Sequence, residues 1–177
     1  METTLETLDT ARLRLQPFEP VDEEALAAMM SDPEVMRHYG GGVTLSREGV
    51  RRTLDYHLHC RRHDYWAWAI HAKDDGRFLC SLTAGMTDFE GRQWFEPAWI
   101  LAHAQWGHGY ATEAARAVVE YALEQLQQKF LLATADPSNA ASIRVIEKSG
   151  FTFLREAEVR PGRLAKVFVI CDSVSEE

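Results

Sequence analysis

QWGHGYATEA, residues 105–114, places two glycines one residue apart directly ahead of an alanine-rich run. Upstream, QWFEPAWIL (93–101) is an apolar stretch with the composition of a strand. Downstream, apolar residues at 111, 114, 115, 118, 119, 122 and 126 hold one face of a 3.6-residue period, which predicts a helix over 111–126. A strand, a Gly-x-Gly loop and a helix start, in that order, gather unpaired backbone N–H groups at a positive helix end. Such a place binds anions, phosphates above all. A nucleotide P-loop would need GK[ST] where Tyr110 and Ala111 stand, and a dinucleotide fingerprint would need a third glycine at Thr112. Neither fits, and on these ten residues alone a tight strand-to-helix turn explains the glycines as well.

Working outward, ARLRLQPF (11–18) alternates Leu13 and Leu15 with Arg12 and Arg14, the period of a strand with one buried face. DEEALAAMMSDPEVMRHYGG (22–41) opens with acids and carries Ala and Met at helical spacing. It breaks at Asp32-Pro33, which predicts a helix, a kink and a short second helix stopped by glycines. The stretch 46–65 is a further helix, in which Ser46 begins a capping box that Gly49 leaves incomplete. YWAWAIHA (65–72) and RFLCSLTAGMTD (77–88) flank an Asp-Asp-Gly turn and predict an antiparallel hairpin. Pro97 cannot donate to a ladder, so the strand at 93–101 should be an edge or carry a bulge. KFLLATAD is a short strand, 136–148 a helix with Pro137 near its start and Gly150 past its end, and FTFLREAEV and LAKVFVICD two strands around a Pro-Gly turn. Residues 1–177 therefore form a single domain, an α/β unit of mixed sheet.

At 177 residues, 46% hydrophobic and 26% charged, the chain can bury one sizeable core. No run approaches about 18 apolar residues, and METTLETLDT lacks the basic and apolar parts of a signal peptide, so a soluble, cytoplasmic protein without membrane contact is expected. Cys60, Cys80 and Cys171 have no CxxC spacing and suit reduced thiols. With 19 Lys and Arg against 27 Asp and Glu, the net charge of −8 repels a nucleic-acid backbone, and no such partner is expected. HLHCRRH offers His57, His59, Cys60 and His63, but catalytic zinc needs a third protein ligand at a recognised spacing, so no metal is assigned. Trp66 and Trp68 alternate with Ala67 and Ala69 and belong in the core, whereas Trp94 and Trp99 are candidates to line an acceptor pocket.

QWGHGYATEA resembles the Q/R-x-x-G-x-G/A pyrophosphate loop of the GNAT superfamily of N-acetyltransferases, on Gln105, Gly107 and Gly109. NAASIRVIEKSGF (139–151) is similar to that family's companion motif, and SDPEVMRHYGG (31–41) to the N-terminal signature of its RimJ/RimL-type branch, the ribosomal-protein N-terminal acetyltransferases. Together these segments span about residues 12–170. The resemblance implies the GNAT fold: one mixed, mostly antiparallel sheet of about seven strands, flanked by helices, with a splayed central strand pair. It implies an enzyme that transfers the acetyl group of acetyl-CoA directly to a primary amine. The branch points to a protein N-terminal α-amino group, with a polyamine, amino acid or aminoglycoside as the alternative acceptor. An acyl-CoA-binding protein that has lost catalysis is the reading from another class, and the protein would be a monomer or homodimer.

Carried over residue by residue, the resemblance puts the pyrophosphate on the amides of Trp106, Gly107, His108, Gly109, Tyr110, Ala111 and Thr112. The pantetheine arm then pairs like a strand with Trp99, Ile100 and Leu101. Asn139 would bond the arm, and Ala140 and Ala141 are small enough to let it pass; Asn139 also suits a helix cap. The attacking amine must be neutral, and an α-amino group with a pKa of about 7.7 to 8.0 needs far less help than a lysine. Glu96, on the splayed strand, is the candidate base. The family's usual tyrosine acid falls at Ile146, so Ser142 is the candidate hydroxyl beside the leaving thiolate, as donor or water relay. Tyr110 is expected to pack beneath the loop. Ala98 stands where relatives often carry glycine.

Overall fold

The computed structural model describes residues 5–59 and 64–171. The elements run β1 (Leu8–Asp9), β2 (Leu13–Pro17), α1 (Glu23–Met30), α2 (Pro33–Met36), α3 (Arg47–His59), β3 (Tyr65–Ala72), β4 (Phe78–Phe89) and β5 (Arg92–Leu101). There follow α4 (Tyr110–Glu124), β6 (Phe130–Ala135), α5 (Ala140–Lys148), β7 (Thr152–Arg160) and β8 (Arg163–Cys171). Cys60 and His63 of the weighed metal cluster lie outside the described residues. No helix among the described residues is long and apolar enough to cross a membrane.

Strand β3 shows why the layers stack as they do. Its residues alternate faces, so Trp66, Trp68 and Ile70 join a core beneath α4 and α5, with Leu13, Leu15, Phe95, Val118, Ala122 and Ile146. The intervening Ala67 and Ala69 face the other way, and their small side chains let α1, α2 and α3 approach through Leu26, Met30, Met36 and Leu54. Trp68 is fully buried, and its indole N–H donates to the Glu6 carbonyl at 3.0 Å. Truncating a residue of this size in a closed core costs about 3–5 kcal/mol.

The sheet order is β1-β2-β3-β4-β5-β6-β8-β7. All neighbours are antiparallel except β5 and β6, which are parallel and register at one pair, Phe95 with Leu131. Eight strands stand where about seven were expected; the added one, Leu8–Asp9, is two residues long and lies in a polar stretch with no alternation to betray it. Pro97 corrects a second expectation. Its strand is neither an edge nor bulged, since β5 pairs without a register shift from Arg92 to Leu101 against β4. Beyond Phe95, however, β5 has no paired strand on its β6 side, and a residue without an N–H is tolerated there.

One helix start also differs from expectation, and one follows it. Helix α5 begins at Ala140 and leaves Pro137 outside, because the Asp136 carboxylate accepts from the Ser138 N–H and hydroxyl and closes a turn before Asn139 caps the helix. Helix α3 begins at Arg47, with Ser46 Oγ accepting from Gly49 N at 3.2 Å, the half of the capping box that the sequence permits. Trp94 does not line the large cleft. It is buried against Leu132 and Val167, meets Phe130 edge-on at 5.5 Å, and donates to the Phe89 carbonyl.

Candidate active site

Past Phe95 and Leu131, strands β5 and β6 diverge and open a cleft of about 1010 Å³. Its walls are 96–101 of β5, 132–135 of β6, the loop into α4 and the start of α5. Glu96, Trp99, Ile100, Leu101, Trp106, Gly107, Gly109, Tyr110, Ala111, Thr112, Asn139, Ala140, Ala141 and Ser142 all line it. His108 does not; its carbonyl accepts from Arg12 Nη1 at 3.0 Å and its ring packs on Tyr110, centroids 5.8 Å apart.

The loop end is main chain shaped by two glycines. Gly107 and Gly109 have φ of 80° and 79°, the left-handed region that side chains disfavour. A Cβ on Gly107 would meet no protein atom within 4 Å and would point into open space. Gly109 caps α4, a helix of 15 residues whose first amides have no partners of their own. Arg12 and Glu113 brace this loop from outside. Glu113, in the first turn of α4, accepts from Thr10 Oγ1 (2.6 Å), Arg12 N (2.9 Å) and Arg12 Nε (2.7 Å). Burial raises the Glu113 pKa, but these bonds outweigh it and hold the carboxyl below its ordinary value. Arg12 also lies over the Tyr110 ring at 4.6 Å, and the Tyr110 hydroxyl accepts from Arg77 Nη2 at 3.2 Å, so Tyr110 is packed beneath the loop.

Along the middle of the cleft, Trp106 Nε1 donates to the Leu101 carbonyl at 2.9 Å, which engages one of the backbone groups expected to face a ligand. Ile100 points its side chain into the helical core on the α1–α3 side and can serve the cleft only through its backbone. Asn139 Oδ1 accepts from Ser142 N at 3.1 Å, the cap, and its amide nitrogen remains a donor. The Ser142 hydroxyl makes no hydrogen bond with the described residues. Ile146, where the family tyrosine would stand, is in the core and leaves no phenol in the cleft from that position.

At the far end, Glu96 is half-buried, and its Oε1 accepts from Thr134 Oγ1 at 2.9 Å across the gap between β5 and β6. Burial raises its pKa above the ordinary carboxylate value, with Thr134, Arg160 and Arg163 opposing. A carboxylate held this way takes up a proton more readily than one in water. Three features here escaped the sequence. Tyr39 lines the cleft with its hydroxyl engaged by Thr83, opposite Ala98 in the β4–β5 ladder; burial raises its pKa. Thr134 and the Arg160–Arg163 hairpin complete the wall. Tyr39 sits inside SDPEVMRHYGG, a signal available in the motif, whereas Thr134, Arg160 and Arg163 come from strands whose only legible property was their alternation.

The sequence matches the acetyltransferase (GNAT) domain family over residues 12–152. It is 32% identical over 148 residues to the Bacillus subtilis protein YkkB, covering 82% of this chain and 85% of that one. It is 28% identical over 173 residues to the N-acetyltransferase p20 of Bacillus licheniformis, covering 93% and 94%. In fold it is similar to a GNAT-family acetyltransferase from Bacillus anthracis, with a TM-score of 0.81 at 22% identity over 94% of this chain and 98% of that one. Mycobacterium smegmatis RimJ in complex with CoA-disulfide follows at 0.77 and 18% identity, over 99% and 90%. The aminoglycoside acetyltransferase AAC(6')-Ib in complex with coenzyme A gives 0.74 at 18%, over 90% and 94%. The eight-stranded sheet is thus the GNAT fold, and the chain belongs to the GNAT family of acetyl-CoA-dependent N-acetyltransferases.

Proposed function

We propose that this acetyltransferase acts on a protein N-terminal α-amino group, as the RimJ/RimL-type branch does, with Glu96 as the base. The observation that carries the reading is the half-buried Glu96 carboxylate, braced by Thr134 at the mouth of the β5–β6 gap.

The cleft suits acetyl-CoA on its own geometry: open space at Gly107, a helix start with unpaired amides, and a length of β5 past Phe95 with no strand paired on its β6 side. Acetyl-CoA supplies a thioester carbonyl that a neutral amine can attack. In this reading the amides of 106–112 hold its phosphates. The backbone of Trp99 and Ile100, with the Leu101 N–H, holds the arm, helped by the Asn139 amide past Ala140 and Ala141. Glu96 takes the amine proton on its carboxylate, directly or through one water. A base with a raised pKa is matched to an α-amino group, which gives up its proton near neutral pH. The Ser142 hydroxyl offers a hydrogen bond to the departing sulfur and is too weak an acid to do more unaided.

A thiol-release assay with acetyl-CoA, run against peptides with free N-termini, peptides with only a lysine amine, polyamines and aminoglycosides, tests the acceptor. Turnover concentrated on free N-termini supports the reading. Turnover confined to lysine or polyamine nitrogens overturns it.

A further inference from the structure

The cations lining the cleft, apart from Arg37 in its pair with Glu34, fall into two groups. Arg144 and Lys148 stand on α5, the helix that Asn139 caps at the loop side. Arg160 and Arg163 stand at the opposite end, facing each other across the Pro161-Gly162 turn that joins β7 to β8. Both are exposed, and neither side chain makes a hydrogen bond or ion pair with the described residues, in a chain of net charge −8. Unpaired arginines in a protein with an excess of acids are a departure that needs a cause.

None of the acids lining the cleft bonds either arginine side chain; each is engaged elsewhere. Glu34 pairs with Arg37 at 3.1 Å. Asp88 accepts from Gly91 N at 3.2 Å and from Gln93 Nε2 at 3.4 Å. Asp136 accepts twice from Ser138, and Glu96 accepts from Thr134. Even Glu158, the nearest acid along β7, accepts from Gly162 N at 2.7 Å. The guanidinium donors of Arg160 and Arg163 therefore stay open toward the cleft. Their field still reaches Glu96, which places them at the acceptor end, and that of Arg163, with His38, reaches Asp136. Two neighbouring guanidiniums with open donors attract an anion, and a guanidinium fork matches a carboxylate in two parallel bonds.

We propose that the acceptor carries a carboxylate close to its reacting amine, and that Arg160 and Arg163 bind it while the amine faces Glu96. The inference rests on the reading of Glu96 as the acceptor-side base and narrows the acceptor within it. Two sources share the chemistry: an acidic side chain in the first positions of a peptide, and the α-carboxylate of a free amino acid. A polyamine or aminoglycoside would bring positive charge against two arginines and is disfavoured.

The test is kcat and KM by thiol release on matched acceptors: Ala-Glu-Ala amide, Ala-Gln-Ala amide and Ala-Lys-Ala amide; free alanine and alaninamide; and spermidine. The carboxylate-bearing member should win by about tenfold or more in kcat/KM, in the peptide arm, the amino-acid arm or both, which separates the two sources. In the exposed double variant Arg160→Gln/Arg163→Gln that preference should vanish through a raised KM for the anionic member. Arg160→Lys/Arg163→Lys should keep most of it. Equal rates within both arms, a preference for the lysine peptide or spermidine, or a preference that survives the double glutamine variant would overturn the inference while leaving Glu96 as base intact. Binding of acetyl-CoA with no turnover of any amine would overturn both.

Discussion

At the loop end of the cleft, Trp106, Gly107, Gly109 and the first turn of α4 offer main-chain groups, while at the other end Tyr39, Glu96, Thr134, Arg160 and Arg163 bring side chains from separate elements. The first end depends on backbone conformation and is built from neighbours in sequence. The second exists only once β5, β6 and the β7–β8 hairpin have assembled. On the proposed reading the contrast divides the labour of the enzyme: backbone groups at one end would hold acetyl-CoA, and side chains at the other would choose the acceptor.

The strongest way to break this division is at Gly107. Valine there must adopt φ near 80°, which a β-branched residue resists, and its side chain must enter the space outside the loop. Acetyl-CoA binding by Gly107→Val should fall below detection in calorimetric titration, with cooperative unfolding retained. Normal affinity in a folded Gly107→Val protein would show that the phosphates lie elsewhere.

Next in size is the acceptor end. Glu96→Gln keeps the volume and hydrogen bonding of the side chain but not its basicity, so kcat should drop by about 10²- to 10⁴-fold with acetyl-CoA affinity unchanged. In the wild type, activity should rise with pH as Glu96 loses its proton, at a pH above the ordinary carboxylate value because burial favours the neutral acid. That limb should be absent from the pH–rate profile of Glu96→Gln. Removing Arg160 and Arg163 takes away charges that oppose the shift, so the limb should move to still higher pH in the double glutamine variant. An unchanged profile in Glu96→Gln would take Glu96 out of the mechanism.

How much of each end could be read beforehand follows from the same contrast. The glycine pair, the helical stripe after it and Asn139 are local signals, and they placed the strand, the loop, α4 and the cap. Alternation placed the β3–β4 hairpin and both halves of β7–β8, because a period of two survives without knowledge of partners. The two-residue β1 carries no period. Pro97 was read by a rule for isolated strands, and its tolerance depends on β6 leaving β5, which is a tertiary fact. Trp94 looked free because nothing in QWFEPAWIL says that Phe130 and Val167 will close over it. The partners of Glu96 are long-range for the same reason: Thr134 is 38 residues away and the arginines farther still.

A smaller effect sharpens the loop end. Arg12 reaches from the start of β2 to Glu113 and the His108 carbonyl, so it fixes the loop without touching the cleft. Arg12→Ala should weaken acetyl-CoA binding by about tenfold and lower Tm by a few degrees, since charge-assisted bonds at a partly exposed site contribute on the order of 1 kcal/mol. The sign of the pH effect is fixed by Glu113. Its folded pKa lies below the ordinary 4.5, so the brace is intact above that value and is lost as pH falls through the lowered one. Acid should therefore erase the Tm difference between wild type and Arg12→Ala; a difference that persisted once the Glu113 carboxyl is protonated would assign the loss to packing of Arg12 on Tyr110.

The smallest expected effect lies at Ser142, where the two ends meet. Its backbone N–H is spent on the Asn139 cap and survives substitution, while its hydroxyl has no partner among the described residues. Ser142→Ala thus removes one hydroxyl from the cleft wall and leaves α5 as it is. If that hydroxyl bonds the departing sulfur, kcat should fall a few-fold, because a water can enter and replace most of its effect. Acetyl-CoA affinity and Tm should not change. In the proposed mechanism Glu96 handles the amine proton and Ser142 the sulfur, at different stages of the transfer, so the Glu96→Gln/Ser142→Ala double variant should lose close to the product of the single losses. A double variant no slower than Glu96→Gln would mean that both side chains serve one step, and Ser142 would then belong to the proton path of the acceptor end.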